Sequence, residues 1–517
     1  MLPRRIAHRI PVRVRHYWKL LATCAVVLTA FAVVFSTVRV APLVTSPGAG
    51  DGDEVTVDIA GAVDLFDAGV AHSITLTYRE EAYQELLDSF WEEGEKAYLE
   101  ADLTIDGTAV PSVGIRLKGN STLQGLTRDG QSRQGGFGGR GAAPQGGAAP
   151  QGGAAPQGGA APQGGDASQG GGFRMGGGGM RTSLKAEEPE NLPWLIRFDE
   201  FVEGRRYQGH REIAIRVGGM GGGAAVLNEA VALDVLAAAG EISQRYAYAG
   251  FTVNGRPTTA RLVVEHPDEN FAAAIGGDGV LYKSLSTSRF TDQGDDPTAY
   301  ADDFKQINRK GSQDLQPVID LIRWVNSADD AEFAEHLDEH VDVESLARYA
   351  AVQNLLVNFD DMAGPGRNYY LWYDLDTERF SVVGWDYNLA LSGSATQDPS
   401  ESVSMGGGGM RGGGDFPPPE GMEMPQGGRG GLMSGHKLKE RFLAAAAYQD
   451  TYRTAYKKLF NEIYGNAAAL NAVDTITKVA GAVDGANAES IASEAENLRT
   501  FLRERTRFLI TDEIITG

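Results

Sequence analysis

Between Asn354 and Asn388 the chain reads NLLVNFDDMAGPGRNYYLWYDLDTERFSVVGWDYN, and this stretch holds the residue types best suited to chemistry. A helical pattern ends near Val357 and gives way to Asn358, Asp360 and Asp361, after which Gly364, Pro365 and Gly366 enforce irregular backbone. Residues 369–373 and 379–383 read as strands joined by the polar turn DLDTE, so a hairpin is expected. Closing it brings Asn368 and Asp386 together beside the acidic loop. One amide and two or three carboxylates would then converge from separate elements. Such a set suits a hard divalent cation, because Mg²⁺ prefers oxygen ligands and usually takes one or two carboxylates plus substrate phosphates. On composition alone a second reading stands beside it: Asp360 and Asp361 cap a turn, Asn368 opens a strand and Asp386 is a solvated loop acid.

The elements that must position these residues are mixed. Residues 74–78 alternate as a half-buried strand would, and 83–91 read as an amphipathic helix. Residues 213–217, 247–253 and 261–265 read as strands, and 227–239 as a strong helix ended by Gly240. Residues 318–325 are helical with Pro317 in the first turn. A further helix starts at Asp342, a good N-cap, and carries Leu346, Tyr349, Ala350, Gln353 and Leu356 on one face. From 436 to 515 the pattern is almost wholly helical and reads as packing, with no chemistry of its own. Two low-complexity inserts interrupt this order, at 129–180 and 405–435. The first repeats GAAPQG, with Pro144, Pro150, Pro156 and Pro162 at a period of six that breaks helix and strand alike. Both inserts contain MGGGGMR, and neither has enough apolar surface to offset the entropy of ordering it.

Composition narrows the function. A formal charge of −22 over 517 residues argues against a nucleic-acid partner, whose phosphates need clustered Lys and Arg. Cys24 is the only cysteine, which excludes an intrachain disulfide and thiolate-built zinc. Residues 1–19 are basic, and the uncharged run 20–38 is just long enough to span a bilayer as a helix. The positive-inside rule puts that basic segment in the cytoplasm, with a linker at 39–72 and the remaining chain outside.

The motifs GIRLKGNST at 114–122, PWLIRFDEF at 193–201, the 227–240 helix, VVE at 263–265, GVLYKS at 279–284, NFD, RNYYLWYD and GWDYN follow one another in order. In this the chain resembles the CotH (spore coat protein H) kinase family over roughly residues 73–391. The resemblance implies an α+β, atypical kinase-like domain at 73–395 that transfers phosphate from ATP with Mg²⁺ or Mn²⁺. It gives Asp360 the place of a catalytic base, and Asn368 and Asp386 those of metal ligands. It makes Arg116 and Lys118 phosphate contacts, with Lys283 and Glu265 at the nucleotide pocket. In three places the chain departs from the family pattern: Asn388 stands where an acid is common, Asn228 where an arginine follows the helix's first leucine, and Ala260-Arg261 where a Gly-aromatic pair usually stands. The leading expectation is therefore a membrane-anchored, extracytoplasmic protein kinase acting on Ser or Thr of surface or secreted proteins. The alternative is a non-catalytic surface module built on a degenerate form of the same fold.

Overall fold

The computed structural model describes residues 55–119, 122–133, 184–217, 225–400 and 435–517. The expected membrane segment at 20–38, both MGGGGMR repeats and most of the two inserts lie outside the described residues. Among the described residues no helix is long and apolar enough to cross a membrane.

Seven strands close into a barrel. In chain order they are β1 (Ala71–Thr77), β2 (Leu99–Ile105), β3 (Thr108–Leu117), β4 (Trp194–Arg197), β5 (Glu212–Ile215), β6 (Tyr246–Val253) and β7 (Thr259–Glu265). Around the barrel the order is β5-β7-β6-β1-β2-β3-β4, antiparallel except for the parallel β6–β1 pair. Alternation decides which side chains fill it: Ile115 and Leu117 of β3, with Ile213 and Ile215 of β5, point into one apolar core with Trp194 and Phe251. Arg116, Lys118 and Arg216, at the intervening positions, therefore stand on the outer face. Helix α1 (Glu80–Glu93) plugs this core with Tyr83, Leu86, Leu87 and Phe90 and stops at Gly94, whose φ of 77° needs no Cβ.

Two expected boundaries move. Residues 55–72, read as linker, belong to the fold: Val57–Ile59 pairs in parallel with Arg205–Tyr207, and Leu65 and Phe66 are buried. Gln208 holds that segment by accepting from Leu65 N at 2.8 Å and donating to Ala60 O and Val63 O. At the start of the first insert, Gln131–Ser132 pairs with Leu126–Arg128, so its first residues still form a hairpin.

A second sheet has the order β9-β8-β10-β11, built from β8 (Gly279–Ser284), β9 (Phe304–Gln306), β10 (Tyr369–Asp374) and β11 (Arg379–Gly384). The expected hairpin is β10–β11, with Tyr369 opposite Gly384 and Asp374 opposite Arg379. One face of this sheet, carrying Leu281, Tyr370, Trp372 and Val383, forms a small core with Trp385. The other, carrying Val280, Tyr282, Tyr369, Leu371 and Val382, joins the main helical core.

That helical core is built from α2 (Leu227–Ala238), α3 (Gln316–Ser327), α4 (Val343–Leu355), α5 (Lys437–Ala444), α6 (Gln449–Phe460), α7 (Ala468–Ala482) and α8 (Ala488–Leu509). Asp342 caps α4 as expected, accepting from Ser345 N at 3.1 Å. The single buried face expected for α4 is too narrow: Ala347, Ala351, Val352 and Asn354 are buried as well. The reason is α6 and α8, whose Tyr456 hydroxyl and Arg505 guanidinium both bond the Asn354 side chain.

Candidate active site

The loop after α4 begins under strain. Asn358 N bonds Gln353 O and Val357 N bonds Asn354 O, a helix-ending turn whose left-handed position is usually glycine. Here it is Val357 at φ 50°, a conformation that a β-branched residue adopts only when its surroundings force it. Asn358 is buried and donates to Gln353 Oε1 at 2.9 Å, which fixes the direction in which the next residues leave.

Asp360 and Asp361 then diverge. Asp361 is buried and forms an ion pair with Lys439 of α5, while its other carboxylate oxygen accepts from Ala363 N at 2.7 Å. Asp360 is half-buried and accepts from Gly366 N at 2.5 Å. A Cβ on Gly366 would stand 2.6 Å from both Asp360 Oδ2 and Asn368 Nδ2, so this glycine leaves the room in which carboxylate and amide meet. Burial pushes the Asp360 carboxyl up to about 6, the charges of Asp386 and Asp361 adding to it against the hydrogen bonds from Gly366 and Asn368.

Asp386 follows β11 and Trp385 in a left-handed conformation, φ 60° and ψ 69°. Its Oδ1 lies 3.0 Å from Arg216 Nη2, and the same guanidinium nitrogen lies 2.5 Å from Glu229 Oε1 in the first turn of α2. Asn228, the neighbour of Glu229, is fully buried and donates to Asn388 O at 2.7 Å and Ala390 O at 3.0 Å. Helix α2 thereby grips the segment after Asp386 from one side and fixes Arg216 from the other. The residue standing in place of the family's usual arginine has its own task here. Arg261, at another of the three departures, donates to Arg216 O at 2.6 Å and steadies the end of β5.

Trp385 is the centre of a cationic cluster. Lys118 Nζ and Lys283 Nζ each lie 5.2 Å from its ring, and Arg216 Cζ lies 5.5 Å away. Such contacts are attractive because the ring face is electron-rich. Among the described residues neither lysine has an ion-pair partner. Burial pulls Lys283 down to about 8, with Lys305 adding to the effect and Asp386 opposing it. Lys118 is held well below the usual lysine range by burial, then by Arg216 and Lys283. Cations that destabilise one another in a chain of charge −22 leave a local field suited to an anion. Arg116 stands farther along the outer barrel face, its guanidinium 5.3 Å from the Tyr98 ring.

The structure thus brings together Lys118, Lys283 and Asp386 around Trp385, with Asp360 and Asn368 across from them and Arg116 at the margin. Glu265 does not join them. It lies opposite Ile213 in the β5–β7 register and shares its side of the barrel, where it is buried, accepts from Arg245 N at 3.0 Å and lies 3.5 Å from His210 Nδ1. A place for Glu265 in the nucleotide pocket is therefore corrected to one inside the barrel: strand alternation turns it away from Arg216. Arg216, Glu229, Trp385 and Lys439 went unassigned in the sequence. The first two carried a signal, a charge at the end of a strand and a lone acid opening an otherwise apolar helix.

Among the described residues no group of three or more His, Cys, Asp and Glu side chains could hold a metal alone. The residues that would hold a cation are Asn368 and Asp386, one amide and one carboxylate, a donor set that needs phosphate oxygens to complete the coordination. The outer face of the barrel and the second sheet thus meet at Trp385, with a lysine from each beside its ring and the Asp360–Asn368 pair within electrostatic reach of Asp386. The chain belongs to the CotH kinase protein family, whose model matches residues 180–509. It is also similar to the inner spore coat protein H of Bacillus subtilis (strain 168), at 23% identity over 193 residues. That alignment covers 36% of this chain and 52% of the relative, so the chain spans about half the length of the curated relative it matches.

Proposed function

We propose that the site around Trp385 binds ATP with a divalent cation and transfers the γ-phosphate to a Ser or Thr hydroxyl of a surface or secreted protein. The observation that carries this reading is the placement of Lys118, Lys283 and Arg216 around Trp385, immediately beside Asp386. The cations bind and orient the triphosphate, which phosphoryl transfer needs more than covalent chemistry. Asp360, close to neutrality in its titration, accepts the acceptor hydroxyl's proton as the new P–O bond forms. The bond from the γ-phosphorus to the bridging oxygen breaks, and ADP leaves with that electron pair. Asn368 and Asp386 would hold Mg²⁺ or Mn²⁺, which would neutralise charge on the phosphate oxygens. Arg216 and Glu229 resemble the strand-cation and helix-acid pair of protein kinases in layout.

The test is ATP affinity in the purified full-length chain. Lys118→Met and Lys283→Met should each weaken binding by about tenfold or more, as the loss of a charged hydrogen bond of roughly 1.5–3 kcal/mol implies. Binding unchanged in both variants would refute the phosphate site. Membrane anchoring through residues 20–38, with the folded domain outside, is part of the same proposal. Protease added to intact cells should digest that domain; full protection would contradict the topology. A non-catalytic binding role has one observation in its favour, the engagement of Asp386 by Arg216, which a cation at Asp386 would have to share. For either role, the relative's name makes the spore coat the first place to look for a protein partner.

A further inference from the structure

The loop that carries Asp360 is held from a part of the chain whose sequence reads only as packing. Lys439, in the first turn of α5, is 4% exposed and pairs with Asp361, which is 2% exposed. Asp361 is the hub of the loop: its side chain caps Ala363 N, and its carbonyl accepts from Gly364 N at 3.0 Å and from Asn368 N at 3.3 Å. Asn368 in turn meets Asp360 above Gly366. Helix α5 is fixed independently of the loop, since Arg441 donates to Val325 O and Asp329 O and Lys437 to the Asn326 side chain. Just before it, His436 packs on Phe290 with ring centroids 4.2 Å apart and shares a 3.0 Å hydrogen bond with the Tyr369 hydroxyl. The ammonium of Lys439 is therefore delivered to Asp361 by a rigid neighbour. A buried ion pair adds little net stability, but removing one partner leaves an uncompensated buried charge.

We infer that Lys439 is a positioning residue for the phosphotransfer site: by clamping Asp361 it sets the loop geometry in which Asp360 and Asn368 meet over Gly366. This rests on the functional reading above for its catalytic consequence, but its structural core does not. Two adjacent carboxylates have been given different work by one lysine. Asp361 is paired and bent inward to hold backbone, and Asp360 is left to Gly366 N and Asn368. A near-attack geometry tolerates little error, and a misplacement of about 1 Å can cost on the order of 10²-fold in rate.

The experiment compares the full-length wild type with Lys439→Met, Lys439→Arg and the double variant Asp361→Asn/Lys439→Met. The first readout is amide hydrogen exchange, which needs no activity. In Lys439→Met, residues 358–369 should exchange at least about tenfold faster while 343–355 and 379–384 keep wild-type protection. Lys439→Arg should restore most of that protection. The second readout is the split between kcat and KM for ATP with Mg²⁺: Lys439→Met should lose about 10²-fold in kcat with KM nearly unchanged, because the phosphate-holding cations are untouched. Should Lys439→Met fail to fold, the double variant carries the test. It leaves no buried charge unpaired, and should fold with the same faster exchange confined to 358–369. Exchange unchanged in every variant, or raised equally throughout α4 and β11, would overturn the inference. A wild type that turns over no ATP, with the local exchange changes intact, would instead sink the phosphotransfer reading and leave Lys439 as the loop's clamp.

Discussion

The behaviour of single side chains turns here on what lies beside them. Asp360 and Asp361 are chemically identical neighbours, yet one faces the Gly366 amide and Asn368 and the other is sealed against Lys439. With its carboxyl raised to about 6, Asp360 in the proposed role could serve as a base only above that pH. The account therefore predicts that kcat is full above neutrality and falls tenfold per unit as pH drops below about 6, where an ordinary aspartate near 3.9 would hold its charge. Asp360→Asn should lose about 10²–10⁴-fold in kcat at pH 7.5 with ATP affinity retained. A flat profile between pH 5 and 7 would remove Asp360 from the role of base. The approach of Asp360 to Asn368 and Asp386 was legible in the sequence because glycines and a hairpin bring them together. Glu265 was misplaced because a one-residue difference in strand parity decides which face a side chain takes. Lys439 carried no signal, since an amphipathic helix after a low-complexity stretch looks the same whether or not one lysine reaches a distant loop.

At the scale of elements, α2 links both halves of the site. Its first turn presents Glu229 to Arg216 and Asn228 to the backbone after Asp386, and its N-terminal amides are met by Glu494 of α8 at Leu227 N, 2.7 Å. Buried carbonyls left without a donor carry a penalty of about 1–3 kcal/mol. Asn228→Leu is accordingly expected to lower stability by about that amount in denaturant titration and to reduce kcat more than ATP affinity. Equal kcat with lower stability would mean that the contact only packs. The hairpin, the strands near 213, 247 and 261 and the helices at 227, 318 and 342 were all foreseen from period and caps, because each has local turn chemistry. Their assembly into a closed barrel was not foreseen, because pairing such as Ile74 with Ile105, or Tyr248 with Ala71, joins segments far apart in sequence.

Over the whole molecule, an acidic chain of charge −22 gathers Lys118, Lys283 and Arg216 around one tryptophan, with Arg116 farther along the same barrel face. The C-terminal helices, which read as plain packing, hold the elements that carry the site, Lys439 through Asp361, Arg505 through Asn354 of α4 and Glu494 through the start of α2, and the family match likewise runs through them to residue 509. Charge pattern and motif order were visible without coordinates. The convergence of charges was not, because it depends on barrel and sheet facing one another. The central claim is that these groups form a metal-dependent phosphotransfer site with Asp386 as a ligand. Its most direct test is transfer of labelled γ-phosphate from ATP, with Mg²⁺ or Mn²⁺, to the protein itself or a generic acceptor, in wild type and Asp386→Asn, with thermal unfolding of each recorded alongside. The account predicts labelled product from wild type and loss of nearly all of it in Asp386→Asn at a similar unfolding temperature. Equal label in both proteins, or no nucleotide binding by wild type, would contradict it.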